Sequence, residues 1–582
     1  MFTEIKKLQW FFKQQWKSYV IGILSLQILN ILIILPPVFI GSAVDSISQG
    51  RITPAELFEK LAILITILIA EYGFGCIWAY YIFENAILID LRLRLLIMNK
   101  VLSMPRTFFE RFSAGDLMAR ATSDVETISE MLGVGVLTFC DSITYLGTII
   151  LAMGFTVSWK LTFFSILPLP FFAIVTGYGG KYIHRLFATQ QEVFSKMNDE
   201  VLEYINGIRV VRSYVLEEQS IAHFEQTTKE VFDTSLKTEI LAGSFWSLTK
   251  VFTTLSYAIA IGYGTSLVID GQITLGSLIS FNVYLSYLIW PMFSIGEFVN
   301  IAQRGATSIK RIYEVLDSRD DRLQSGRESL DSCIDRIVFK NYRFRYPTSQ
   351  VDNLRDIDLT VDKGSTLGIV GKTGSGKSTL IKQLLKEYPI GEGELLIAER
   401  PIQNLDKASL MEHIGYVSQE NILFSKSVRD NIRMGNEVAD EDSLLESLRL
   451  SNLEKDIRNF AQGLDTLVGE RGVAISGGQK QRLSIARSLI KDPEILIMDD
   501  SLSAVDAKTE AKIIENIRKN RRGKTTLIVT HRLSAVAHAD EIIVMGDGRI
   551  TQRGTHEELV SENGWYNEQY QIQQMEGENY DG

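Results

Sequence analysis

Gly371-Lys372-Thr373-Gly374-Ser375-Gly376-Lys377-Ser378 follows the strand-like run Ser365–Val370 and opens the helix-like run Ser378–Glu387. Strand, glycine-rich loop and helix in that order make a phosphate cradle. The glycines let backbone N–H groups close on phosphate oxygens, and the helix N-terminus adds its positive dipole. Lys377 is placed to reach the β- and γ-phosphates, and the Ser378 hydroxyl to ligate magnesium. Gly371 through Thr379 are therefore the candidate nucleotide-binding residues, with ATP and Mg2+ as the expected cofactors.

Downstream, the apolar run Ile495–Met498 ends in two carboxylates, Asp499 and Asp500. Beside such a loop, the first acid holds the metal and the second prepares water for attack. Asp499, Ser378 and Gln419 are the candidate metal ligands. Asp500 stands where a hydrolytic site of this shape carries Glu, one methylene longer. The shorter side chain draws its carboxylate back by about one C–C bond, ~1.5 Å. Misplacement on that scale costs on the order of 10²-fold in rate. Hydrolysis at this site is expected to be slow, unless backbone adjustment lets Asp500 polarise water.

Further polar residues fall at strand ends or helix starts. Gln419 follows Ile414–Val417 and His531 follows Leu527–Thr530, so both join Asp500 as catalytic candidates. Tyr346 is a candidate to stack on adenine. Ser476, Gly477, Gly478 and Gln479, after Ile475, open a second anion-binding helix start about 100 residues beyond the first. A second cradle so far away makes sense if it closes on ATP held by another subunit. Singly, these are an ordinary loop glutamine, a satisfied histidine and a packed tyrosine; their order along the chain gives them meaning.

The first 300 or so of the 582 residues read differently. Six apolar segments, near 19–46, 57–82, 133–157, 160–182, 245–269 and 277–300, are each long enough to cross a bilayer, which takes about 20 residues. Three connections are short. The two long ones, about 83–132 and 183–244, carry Arg92, Arg94, Lys100, Arg106, Arg111, Arg120, Arg185, Lys196, Arg209 and Arg212. That basic bias puts both in the cytoplasm with the C-terminal domain, in a multi-pass protein of the cell membrane. They read as helical extensions, with Ser113–Ser123 and Gly207–Leu216 as candidate contact helices against the ATPase domain. Phe2–Trp16, with lysines among aromatics, reads as a helix at the membrane surface, and no cleavable leader is expected. Pro36-Pro37 and Pro291 are expected to kink their helices. Glu71, Asp141 and Glu297 are functional candidates because charge inside a span is costly; Asp141 and Glu297 have the alternative of meeting water or a helix partner. The formal charge of −10 excludes a general nucleic-acid binder, and Cys76, Cys140 and Cys333 have no metal or pairing spacing.

The chain resembles a half-transporter of the ATP-binding cassette (ABC) exporter family: six spans ahead of one nucleotide-binding domain. The resemblance covers Walker A at Gly371–Ser378, the Q-loop at Gln419 and the signature at Ile475–Gln479. It continues through Walker B at Ile495–Asp499, the D-loop Ser503–Asp506 and the switch histidine His531. Thr466–Arg471 is similar to the segment that in exporters touches the membrane-domain loops. The expected fold class is thus an all-α six-helix transmembrane domain (1–316), a linker (317–333) and an α/β P-loop ATPase domain (334–582). The family implies two half-transporters with two ATP molecules between one chain's Walker A and the other's signature. With Asp500, the chain is similar to the BmrC-like halves of heterodimeric multidrug exporters of Gram-positive bacteria. That likeness implies a non-identical partner, a degenerate ATP site here and an amphipathic small-molecule or lipid-like cargo. A homodimeric lipid flippase and an ATP-gated membrane sensor or channel share these motifs.

Overall fold

The computed structural model describes residues 2–50, 53–318, 326–330, 333–469 and 475–578, apart from the side chains of 2 and 576–578 and several between 170 and 184 and near 245–249. The chain forms two compact units: Met1–Lys100 with Gly115–Ser318, and Val101–Ala114 with Arg319–Gly582.

The first unit is helical. Among the described residues, five helical stretches are long and apolar enough to span a membrane: Thr3–Ser48, Pro54–Ser103, Ala114–Thr156, Lys250–Ile269 and Leu275–Leu316. The remaining expected span, 160–182, is helical across Trp159–Ile166 and Pro168–Asn206. Helix breaks fall just before prolines, which lack the N–H that would continue the ladder. The chain turns at Ile33–Ile34 ahead of Pro36-Pro37, and at Leu288 ahead of Pro291. At the first break, Tyr284 Oη donates to the Ile34 carbonyl at 2.7 Å and Ser280 Oγ to that of Pro37 at 2.6 Å. The helices Pro54–Ser103 and Glu217–Ile269 are 50 and 53 residues long. At 1.5 Å per residue each runs to roughly 75–80 Å, more than twice the hydrocarbon thickness of about 30 Å. Near the N-terminus, Trp10 Nε1 donates to Tyr313 Oη at 3.0 Å, and that hydroxyl donates to the Lys7 carbonyl at 2.7 Å. The N-terminal helix is therefore tied to the final membrane helix as well as being amphipathic.

The two candidate contact segments are both helical in part, Ala114–Ala119 in the first and Ile208–Ser213 in the second. Asp116, Arg120 and Asp124, four residues apart, share one helix face and turn it inward. Arg120 and Asp124 are buried. Arg311 Nη2 pairs with Asp116 at 3.0 Å and Nη1 with Asp124 at 3.2 Å, while Arg120 reaches Glu314 at 3.2 Å. Asp116 and Arg120 of Ser113–Ser123 thus belong to an ion-pair network within the membrane unit. The segment grouped with the ATPase unit instead lies just upstream and carries the helix Arg106–Arg111. Ile208–Ser213 is a six-residue helix with no buried residue.

The second unit is built on two sheets. Strands β1 (Arg336–Phe344), β2 (Leu354–Asp362), β4 (Glu392–Ile397) and β5 (Arg400–Pro401) form a sheet of order β2-β1-β4-β5. Strands β3 (Thr366–Gly371), β6 (Ile414–Val417), β7 (Ile495–Asp499), β8 (Thr525–Val529), β9 (Glu541–Gly546) and β10 (Arg549–Gly554) form another, of order β10-β9-β3-β8-β7-β6. In the latter all pairings except β9–β10 are parallel. Strands β7 and β8 are buried at every position, which is why Ile495–Met498 and Leu527–Val529 read as unbroken apolar runs. Because β3, β8 and β7 are adjacent and parallel, their C-terminal ends gather at one edge. That edge is where an open α/β sheet binds ligands.

Candidate nucleotide site

The phosphate loop leaves β3 at Gly371 and feeds the helix Lys377–Leu384. Gly371 (φ +142°) and Gly376 (φ +102°) take backbone angles that side-chain-bearing residues rarely adopt. A Cβ on Gly371 would lie 2.2 Å from the Met545 carbonyl, so the loop passes its neighbour only as glycine. Lys377 curls back over the loop: Nζ donates to the Gly371 carbonyl at 2.8 Å and the Lys372 carbonyl at 2.9 Å. Burial pulls its ammonium below the usual lysine range, while Asp500 and Asp499 oppose the shift. A buried cation cradled by carbonyls is poised for an anion that would restore its solvation.

Asp499 ends β7 and is 2% exposed. Ser378 Oγ donates to its Oδ1 at 3.0 Å. Burial pushes this carboxyl above its ordinary range; Ser378 and nearby lysines draw it down. The hydroxyl and carboxylate make an oxygen pair suited to a hard divalent cation that takes its other ligands from phosphates and water. Such a cation would reverse the effect of burial on Asp499.

Asp500 adopts φ +48°, a left-handed conformation that Asp tolerates better than most residues. Its N–H donates to the Val529 carbonyl at 2.8 Å and its own carbonyl accepts from Ser503 Oγ at 3.0 Å. The backbone is held on both sides. Burial raises the Asp500 carboxyl, and His531, Lys377 and Arg532 lower it. His531 is in turn pulled down, first by burial and then by Lys377. The imidazole is thus neutral at pH 7, and acid must go below its ordinary 6.5 to charge it. We expect hydrolysis at this chain's site to hold as pH falls to about 6.5 and to drop below that. A pH–rate profile with His531→Ala as control, lacking this acid limb, checks it.

Other candidates are arranged around this centre. Tyr346 Oη donates to Thr379 Oγ1 at 3.1 Å, with Lys382 Nζ 5.9 Å from its ring centre, so the tyrosine lies against the phosphate-loop helix. Gln419 is exposed, with its backbone carbonyl accepting from Asn421 Nδ2 at 3.3 Å; no described contact brings its side chain to Asp499. Ser476 caps the helix Gly477–Leu489 in a reciprocal capping box with Gln479. Ser476 and Gly477 are exposed, and no described contact links Ser476–Gln479 to the phosphate loop. Glu470 and Arg471 of the Thr466–Arg471 segment lie outside the described residues.

Two features had no signal in the sequence. Gln573 Nε2 donates to the His531 carbonyl at 2.8 Å and its Oε1 accepts from Leu533 N at 3.0 Å, clamping the histidine turn from 42 residues away. Tyr388 Oη donates to Glu110 Oε1 at 2.6 Å, and Arg106 lies 3.6 Å from Glu387, fixing the helix Arg106–Arg111 in this unit. A hydrogen bond to a charged group contributes about 1.5–3 kcal/mol. Tyr388→Phe is expected to cut transport per ATP hydrolysed by about tenfold with hydrolysis itself retained, read by measuring both in one vesicle preparation.

The geometry agrees with comparisons to known proteins. Residues 19–292 match the family model described as ABC transporter transmembrane region, and residues 354–503 the one described as ABC transporter. The chain is 46% identical over 575 residues to the probable multidrug resistance ABC transporter ATP-binding/permease protein YheI of Bacillus subtilis, covering 99% of this chain and 98% of that protein. It is 35% identical to the multidrug resistance-like ATP-binding protein MdlA of Escherichia coli, across 98% and 96% of the two chains. A bacterial Atm1-family ABC exporter with ATP bound shares the fold at a TM-score of 0.77 and 23% identity, covering 97% of this chain and 99% of that one. A phosphate loop, an acid-ended strand and a spanning helical unit in one polypeptide are therefore not coincidental neighbours: the chain belongs to the ABC transporters, as an ATP-driven exporter whose ATPase is coupled to transport across the membrane.

Proposed function

We propose that this chain is one half of a heterodimeric multidrug exporter, and that its own phosphate-loop site is the slow one of two. Asp500 carries the reading. Its carboxylate starts one methylene short, on a backbone held at both its N–H and its carbonyl. The signature Ser476–Gln479, exposed at Ser476 and Gly477 and with no described contact to this chain's phosphate loop, supports a second half-transporter whose ATP it completes. The names of the two curated relatives support a multidrug range, and so an amphipathic small-molecule cargo.

In this reading Gly371–Thr379 hold the phosphates and Tyr346 flanks the adenine. Ser378, Asp499 and Gln419 would hold magnesium, which would supply positive charge to offset the charge that develops on the phosphates. Asp500 and His531 orient water. Closing the two halves on ATP favours one face of the membrane cavity, and hydrolysis resets it. The chain purified alone is expected to hydrolyse ATP at least about tenfold more slowly than the complex recovered from its native membrane. Equal turnover by the chain alone would replace this reading with the homodimer.

A further inference from the structure

Two carboxylates stand where the helices cross the hydrocarbon. Counting from the short outer connections at about 1.5 Å per helical residue, Asp141 lies ~22 Å below Thr156 and Trp290 ~22 Å below Leu275. By the same rise Glu71 lies ~26 Å below Pro54. In a core about 30 Å thick, all three fall in the half nearer the cytoplasm.

Asp141 is 6% exposed, and Trp290 Nε1 donates to its Oδ2 at 2.9 Å. Among the described residues no donor reaches its Oδ1, and no basic side chain faces it. Glu71 Oε1 is fully buried and, among the described residues, without a hydrogen-bond partner, within electrostatic reach of the Tyr145 and Tyr287 hydroxyls. Both tyrosines pack on the core formed by Ile149, Tyr284 and Leu288. The Trp290 ring is otherwise open, at 59% exposure.

Asp141 also opens a π-helical segment, Asp141–Tyr145, within the spanning helix. Ser142 and Thr144 hydroxyls take the carbonyls of Thr138 and Cys140, loosening the ladder there. Such a bulge re-aims the side chains on it and recurs at functional sites. Among the described residues the arrangement has no cation of its own. Unneutralised carboxylate in hydrocarbon is costly to keep, and it sits beside three aromatic rings whose faces attract positive charge.

We propose that Asp141, Glu71, Trp290, Tyr145 and Tyr287 form the recognition site for a lipophilic organic cation, the cargo class of this exporter. The assignment rests on the exporter reading. A cation supplies the missing counter-charge and a face-on ring contact, whereas a neutral amphiphile gains only apolar burial and an anion is repelled. The depth suits cargo arriving from the inner leaflet.

The test uses the full complex in vesicles, with tetraphenylphosphonium as cationic probe and triphenylphosphine oxide as neutral probe. Asp141→Asn keeps an acceptor for Trp290 Nε1 and removes the charge, and Glu71→Gln does the same at the second acid. Each is expected to raise the KM for ATP-driven tetraphenylphosphonium uptake by about tenfold, with the neutral probe's KM unchanged and the melting temperature preserved. Equal shifts for both probes, or none for the cation, would overturn the assignment. Uptake of the neutral probe alone by the wild type would also overturn it while leaving the exporter standing. Uptake of neither probe, with ATP still hydrolysed, would remove the exporter reading and the assignment together.

Discussion

Lys377→Ala is expected to abolish nucleotide binding at this chain's site and to lower coupled transport by at least about 10²-fold. The ammonium is buried, and both carbonyls it contacts belong to the loop that wraps the phosphates. Alanine leaves the Gly371 and Lys372 carbonyls facing the incoming anion with no cation between them. One preorganised donor in a water-poor site is worth about 3–4 kcal/mol, and here it carries a full charge. Binding of a fluorescent ATP analogue and vesicle uptake measure the two losses separately. Retention of more than a tenth of wild-type uptake would show that ATP closure at this site is dispensable.

Asp500→Glu is expected to act in the opposite direction, raising hydrolysis at this chain's site by on the order of 10²-fold. The substitution restores about 1.5 Å of reach on a backbone fixed by the Val529 carbonyl and Ser503. The left-handed conformation at residue 500 is less comfortable for Glu than for Asp, so a small loss of stability accompanies the gain. The measurement is single-turnover hydrolysis by the assembled complex, in which this chain's site is distinguished by Lys377→Ala. An unchanged rate would mean that side-chain length does not limit this site.

Much of the ATPase centre was legible because its chemistry is local. Gly371–Ser378 is one continuous loop, and β7 is so fully buried that Ile495–Met498 reads as a single apolar run ending on its acids. The spans were legible for a similar reason: uniform apolar composition over a fixed length. What stayed hidden depends on which face of an element meets which neighbour. Asp116, Arg120 and Asp124 look like the surface of a solvated helix until Arg311, some 190 residues on, is placed against them. The helix Arg106–Arg111 has the same basic and aromatic composition as its surroundings, and only Tyr388 and Glu387 distinguish it. Gln573 supports His531 through backbone atoms, which leave no trace in side-chain pattern. The hydrogen bond from Trp290 to Asp141 likewise required two helices to be laid side by side.

The asymmetry between the two ATP sites is most directly tested by following the fate of bound nucleotide. The complex purified from its native membrane is loaded with radiolabelled ATP and magnesium, freed of excess nucleotide and quenched after one turnover. The account predicts that about half of the bound label remains ATP, retained at this chain's Gly371–Ser378 loop and lost from it when Lys377→Ala is introduced. Conversion of all bound ATP to ADP at a single rate would contradict it.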